Sequence, residues 1–259
     1  MLYVDVALLP AELEAMPLAR FGAVAVIDVL RATTTMVAAL ENGARGVVPV
    51  ATPAEAWAWR AAGGPVLLGG ERGARRVPGF DLGNSPLEYR RETVAGRLIV
   101  LTTTNGTRAF RRVLGAGEAG SNSQEIIAAC LRNAQAAARH LWRQAEAAGG
   151  DVLLVCAGTD GWFSAEDAYC AAMILECLRE HGPLEQGDGA RAAARLGAQA
   201  ADPREELAGS RHGQRLLALG FHQDVEYCAA LSVSQVVPRL DSGVLVAAGA
   251  PAGAEAGAC

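Results

Sequence analysis

Short β-rich runs alternate with helix-like segments through the first two-thirds of the chain, and this alternation confines it to an α/β fold. The strand candidates are Tyr3–Leu8, Ala23–Val29, Gly46–Val50, Val66–Leu68, Leu98–Leu101, Val152–Cys156 and Val244–Ala247. Between them the spacing predicts helices at Thr33–Asn42, Pro53–Ala62, Gly106–Leu114, Gln124–Ala148 and Ala165–His181. Asn42-Gly43, Pro53 and Gly149-Gly150 punctuate these helices where ends belong. Leu184 to Arg215 reads as helical but polar. The expected architecture is a layered α/β/α arrangement with a mostly parallel or mixed sheet. A chain of 259 residues, 51% hydrophobic, can bury one large core or two small ones. Residues 1–246 therefore read as one unit, with two lobes as an option, and 247–259 as a flexible tail of small residues.

Composition removes several function classes. Every one of the 23 basic residues is arginine, so a P-loop lysine, a pyridoxal Schiff base and the lysine of haloacid-dehalogenase-type phosphatases are all missing. With 28 acids the formal charge is -5, and no stretch gathers the cations that a nucleic-acid backbone requires. The six cysteines lack C-x-x-C spacing and sit among apolar neighbours, as in a reduced, cytoplasmic protein. The N-terminus carries acids in place of a basic leader region, and no apolar run reaches membrane-spanning length. Neither export nor insertion is expected. Oligomeric state stays open, a homodimer among the options.

Three segments share one design, an apolar strand that runs through a polar turn into a helix: VAVIDVLRATTT (24–35), LIVLTTTNGT (98–107) and VLLVCAGTDGWFSAED (152–167). Ligands of α/β proteins bind outside the carboxyl ends of strands, so these turns are expected to face one pocket. Asp28 can hold a hard cation, while Arg31 and the N–H groups near Thr33, Thr34 and Thr35 suit a phosphate; the same residues also suit a turn and a helix cap. Thr102, Thr103, Thr104 and Asn105 offer more hydroxyls than one cap needs. Asp160, Glu166 and Asp167 gather at the third turn, where Ser164 and Asp167 also form a capping pattern. The glycine-rich segment 70–86 reads as a long surface loop carrying Glu71, Arg72, Arg75, Arg76, Asp81, Asn84 and Ser85. Gly115-x-Gly117-x-x-Gly120 matches a dinucleotide pattern but follows a helix, so it reads as a helix exit. The four histidines lack metal-ligand spacing and read as neutral core or surface residues.

Taken in order, VIDVLRATTTMVAALENGA, GERGARRVPGFDLGNSPLEY, LTTTNGTRAF and VCAGTDGWFSAEDAYCAAM resemble the successive signature segments of the 2-phosphosulfolactate phosphatase family. Late in the chain, LGFHQDVEYCAALSVSQVVP resembles a family segment containing D-I-x-x-C and ending in V-V-P, although Ala229 to Ser234 lack the acid that usually follows the cysteine. The resemblance implies an α/β fold of the family's own topology. It also implies magnesium-dependent hydrolysis of 2-phospho-3-sulfolactate, in a route toward coenzyme M or related sulfonates; the alternatives are a magnesium-dependent phosphatase of another small phosphorylated acid and a non-catalytic anion- or metal-binding relative.

Such hydrolysis demands accelerations of up to about 10²¹-fold, which one general base worth roughly 10²–10⁴-fold cannot supply. Charge neutralisation and alignment must provide most of it. The expected catalytic residues are Asp28, Arg31, Glu71, Asn105 and Asp167. Asp28, Glu71, Asp160, Glu166 and Asp167 are the pool of Mg2+ ligands. Arg31, Thr33, Thr34, Arg72, Asn84, Ser85, Thr103, Thr104, Asn105 and Arg108 are the expected contacts to a small anionic phosphate ester. Attack by water is the preferred route, with a carboxylate nucleophile as the alternative.

Overall fold

The computed structural model describes residues 1–116, 124–200 and 202–249. The chain runs β1 (Leu2–Ala7), β2 (Phe21–Ile27), α1 (Ala32–Glu41), β3 (Gly46–Val50), α2 (Pro53–Ala61), β4 (Val66–Arg72) and β5 (Arg75–Arg76). It continues through α3 (Arg91–Val94), β6 (Leu98–Thr102), α4 (Gly106–Ala116), β7 (Glu125–Ala129), α5 (Ala134–Ala148), β8 (Asp151–Cys156) and α6 (Ala165–Arg179). The last third holds β9 (Leu184–Gln186), α7 (Asp188–Gly197), α8 (Pro203–Gly209), α9 (Arg211–Ala218), α10 (His222–Cys228), β10 (Pro238–Asp241) and β11 (Val244–Ala247). The α/β class read from the sequence is the class observed.

The strands form one 11-stranded sheet, ordered β5-β4-β6-β3-β11-β10-β7-β2-β8-β1-β9. It consists of two parallel half-sheets, β7-β2-β8-β1-β9 and β4-β6-β3, joined by the antiparallel β10–β11 hairpin, with the short β5 antiparallel to β4 at one edge. Three antiparallel pairings lie between β7 and β3, so the two half-sheets run in opposite directions. In a flat sheet their carboxyl edges would lie at opposite ends. Five strand-to-strand steps, roughly 24 Å across a flat sheet, separate β2 from β6. The two halves nonetheless share one inner core, and a Cβ on Gly106 would lie 2.7 Å from Asp28 Oδ2, so the sheet curls until the turns after β2 and β6 meet.

Side-chain alternation distributes the strands' residues among three cores. Ile99 and Leu101 of β6 join Val24 and Val26 of β2, Leu245 of β11, and Met36 and Phe110 of α1 and α4 in an inner core shared by both half-sheets. Leu98 and Val100 face the opposite way, onto α2. Val4, Ala25, Ile27 and Leu154 pack against α5, α6 and α7 on the outer face of the larger half-sheet. Ala32 through Leu40 of α1 are buried on all sides, as expected of a helix wrapped by a sheet.

Three sequence expectations are corrected. The single helix expected over Gln124–Ala148 is a strand, Glu125–Ala129, followed by the helix Ala134–Ala148. The β-branched Ile126 and Ile127 fill a slot between β2 and β10, and Asn133 ends the strand by accepting from Cys130 N at 2.9 Å. The segment from Leu184 to Arg215 is not helical throughout, because Leu184–Gln186 pairs with β1 as an edge strand. The expected loop 70–86 begins as strand, since β4 extends through Arg72. Gly117 and Gly120 of the dinucleotide-like pattern, and residues 250–259 of the expected flexible tail, lie outside the described residues. Among the described residues no helix is long and apolar enough to cross a membrane, and the five described cysteines are free thiols.

Candidate active site

The turn after β2 is fastened by its own polar groups. Thr33 Oγ1 donates to Asp28 O at 2.8 Å and accepts from Asp28 N at 3.1 Å, Thr34 Oγ1 donates to Val29 O at 2.8 Å, and Asp28 Oδ1 accepts from Ala32 N at 3.2 Å. The threonine hydroxyls thus brace the strand-to-helix turn and leave the Asp28 carboxylate at the start of α1. The turn after β6 works the same way, with Thr103 and Thr107 exchanging backbone and hydroxyl bonds at 3.1–3.2 Å. Where α4 begins, a methyl group on Gly106 would lie 2.7 Å from Asp28 Oδ2, so only glycine permits this approach. Asp28 therefore sits between two helix N-termini, whose partial positive charge favours an anion.

Glu71 reaches the same place from the end of β4. Its Oε1 accepts from Thr104 N and Thr104 Oγ1, and its Oε2 from Ala74 N, all at 2.8 Å. Gly70 makes this possible: its φ is 140°, and a Cβ there would stand 2.0 Å from Thr102 O. Arg31 is held from three sides. Its guanidinium donates to Asp224 Oδ2 at 2.6 Å and to Ala74 O at 3.1 Å, and it stacks 4.3 Å from the Phe221 ring centroid. Ser85 Oγ donates to the other Asp224 oxygen at 2.7 Å. Asp224 thereby fixes the guanidinium as a rigid donor.

Asp28, Leu30, Arg31, Glu71, Ala74, Asn84, Thr103, Asn105 and His212 line one small cleft. Its free volume of about 10 Å³ is room for a single water or ion. Among the described residues five buried side-chain polar atoms lack a hydrogen-bond partner, and three of them, Arg31 Nε, Asn84 Oδ1 and His212 Nδ1, belong to residues of this cleft. Native proteins satisfy buried polar groups with protein, water or ligand, so these three atoms leave the cleft with bonding capacity for a water or a ligand. Burial pushes Asp28 up to about 7, and the charges of Glu71 and Glu166 add to the push. Burial and the Arg31 charge push His212 down to about 4, which keeps it neutral.

Six of the residues singled out in the sequence meet in the cleft: Asp28, Arg31, Glu71, Asn84, Thr103 and Asn105. The others stand elsewhere. Arg72 donates to Ala51 O and Thr102 Oγ1, both at 3.0 Å. Thr33, Thr34 and Ser85 brace their neighbours, and Thr104 ties Glu71 while lining a second cavity with Arg108 and Asp160. Asp167 lies behind the cleft, its carboxylate accepting from Val29 N at 2.9 Å and Gly158 N at 3.1 Å, so that it clips the turns after β2 and β8 together. Its pKa is pushed well up by burial and by the charges of Glu166 and Asp28, and burial likewise raises Glu166. His212, Asp224 and Phe221 were not legible in the sequence as parts of a site. The DVEYC resemblance pointed to the neighbourhood of Asp224 without giving it a partner.

The donors suit a hard divalent cation. Asp28 and Glu71 supply carboxylate oxygens, and Asn84 Oδ1 is an unpartnered amide oxygen in the same cleft. Among the described residues no group of three or more His, Cys, Asp or Glu side chains converges on a metal position. Mg2+ does not need one, since it is held by one or two carboxylates with water and substrate phosphate completing its shell.

The 2-phosphosulpholactate phosphatase family model matches residues 8–243, which includes every residue of the cleft. This chain belongs to that family. It is 47% identical over 222 residues to a probable 2-phosphosulfolactate phosphatase of Thermotoga petrophila, covering 85% of this chain and 90% of the relative. A protein of the same description from Deinococcus radiodurans is 45% identical over 225 residues, covering 87% and 90%. One from Carboxydothermus hydrogenoformans is 42% identical over 245 residues, covering 94% and 96%. The matched span begins at residue 8, just after β1, and ends in the turn between β10 and β11, so β2 to β10 and every residue of the cleft lie within it.

Proposed function

We propose that this protein is a Mg2+-dependent phosphoric monoester hydrolase that converts 2-phospho-3-sulfolactate to sulfolactate and inorganic phosphate. The observation that carries this reading is the set of three unpartnered polar atoms, on Arg31, Asn84 and His212, beside two buried acids in one cleft. The printed names of the relatives supply the substrate. Where a cell makes coenzyme M, the reaction would provide its sulfolactate.

Asp28 and Glu71, with Asn84 Oδ1, would hold Mg2+. When bound, the cation neutralises the phosphoryl oxygens as negative charge gathers on them. Arg31, locked by Asp224 and Phe221, donates from Nε to a phosphoryl oxygen without having to reorganise. The Asn105 carbonyl oxygen is occupied by Asp160 N at 3.1 Å, which turns its amide toward the substrate as a second donor. His212 is neutral above about pH 4 and orients the attacking water through Nδ1. The water oxygen bonds to phosphorus, the ester P–O bond breaks, and the sulfolactate oxygen leaves with the proton that the attacking water gives up.

Phosphate release from 2-phosphosulfolactate should be abolished by a chelator, restored by added Mg2+, and absent in Asp28→Asn. Release from the parent that equals a protein-free blank, with Mg2+ present and across a panel of small phosphate esters, would sink the reading.

A further inference from the structure

The cleft holds about one water-sized particle, so the body of any phosphate ester must lie outside it. A larger cavity of about 380 Å³ adjoins it, and Asn105 lines both. Its floor is the first two turns of α4, where Arg108 and Arg112 stand four residues apart and so share a helix face. Thr104, Ala157 and Asp160 form other parts of the wall. Among the described residues neither arginine makes an ion pair, whereas the neighbouring Arg111 pairs with Glu55 at 2.8 Å and Arg31 with Asp224 at 2.6 Å. The one carboxylate in the wall, Asp160, faces Arg215 at 3.5 Å, which reduces its repulsion of an incoming anion.

The arginines of segment 70–86, Arg72, Arg75 and Arg76, stand elsewhere. Arg72 is spent on backbone and hydroxyl oxygens, Arg76 donates to Asp81 O at 3.1 Å, and none of the three lines either cavity.

We infer that the cavity over Arg108 and Arg112 is a second anion subsite, which reads a sulfonate or carboxylate on the part of the substrate remote from the phosphate. Two guanidinium forks on one face match the oxygen spacing of either group. This rests on the phosphatase reading for its biological meaning, while the binding itself can be measured without turnover. A phosphate ester without a second anion gains nothing from the cavity, so the subsite selects substituted, multiply charged esters.

The test compares the parent with Arg108→Gln and Arg112→Gln on 2-phosphosulfolactate and on p-nitrophenyl phosphate, and measures sulfolactate binding by calorimetry. For each variant KM for 2-phosphosulfolactate should rise roughly ten-fold or more, with p-nitrophenyl phosphate turnover within about two-fold of the parent and sulfolactate binding weakened in proportion. Equal effects on both esters, or none on either, overturn the subsite. If the parent releases phosphate from no ester, the catalytic reading fails and calorimetry decides the subsite alone. Sulfolactate binding that is lost in the variants then supports it. Binding that is unchanged in the variants, or absent from the parent, overturns it.

Discussion

Asp28 carries a conflict that the fold maintains. It is 5% exposed, near the Glu71 and Glu166 charges, and its carboxyl is pushed up to about 7 from an ordinary value of 3.8. The folded state therefore binds its proton more tightly than the unfolded chain does. Its contribution to stability is whole below pH 4 and is lost as pH rises through 7. Asp28→Asn should consequently melt above the parent at pH 8, by up to about 4 kcal/mol, with the gap closing as pH falls toward 4; thermal denaturation across that range checks it. Arg31 and Asp224 pose the opposite case. Asp224→Asn leaves a guanidinium buried with half its anchor gone, and should cost about 3–5 kcal/mol in chemical denaturation together with a loss of phosphate release. Asp28 and Arg31 were legible in the sequence because their meaning is local: an acid and a cation where an apolar strand turns into a helix. Asp224 was not. It meets Arg31 across 193 positions, and an acid on a short helix reads as a solvated residue until its partner is known. His212 was passed over for the same reason, since lack of ligand spacing says nothing about a residue that enters the cleft alone.

At the scale of elements, strand-to-helix turns were readable and strand-versus-helix choices inside alanine-rich sequence were not. QEIIAACLRNAQAAARHLW contains enough helix formers to read as one helix, yet Glu125–Ala129 within it completes the sheet. The slot between β2 and β10 rewards burial of Ile126 and Ile127 by more than helix propensity disfavours them. Asn133 then switches the backbone from strand to helix, holding Cys130 N, Ala128 O and Val236 O with one side chain. The start of α4 is equally dependent on a neighbour. A Cβ at Gly106 would lie 2.5 Å from the Ala32 methyl as well as against Asp28, so α4 cannot keep its place beside α1 with alanine there. Gly106→Ala should lower stability by about 1–3 kcal/mol and reduce phosphate release at least ten-fold beyond the loss of folded protein; melting curves beside assays at low temperature separate the two effects.

For the molecule as a whole, the β10–β11 hairpin is the join on which the site depends. Its strands touch β7 on one side and β3 on the other, and without them the half-sheets share no backbone pairing. Leu245 of β11 is fully buried in the inner core, among side chains from both halves. Leu245→Ala should cost about 2–5 kcal/mol, read as a shifted urea midpoint at unchanged slope, and should weaken activity at temperatures where the variant is still folded.

What the sequence determined by itself is whatever rests on contacts a few residues long. The α/β class follows from alternating patterns, the braced turns after β2 and β6 from threonines beside an acid and an asparagine, and the membership of Glu71 and Asn84 from a glycine-rich segment with ordered chemistry. Only the tertiary structure decided which strand ends meet. Opposed half-sheets place their carboxyl edges apart, and the packing of both halves onto one inner core brings the turns after β2 and β6 together, a closure that no local stretch of sequence contains. The same long-range closure delivers Asp224 and His212, and it leaves Arg31 Nε, Asn84 Oδ1 and His212 Nδ1 without partners. Whether a buried polar atom is satisfied is a property of everything packed around it, so it exists only once the chain has folded.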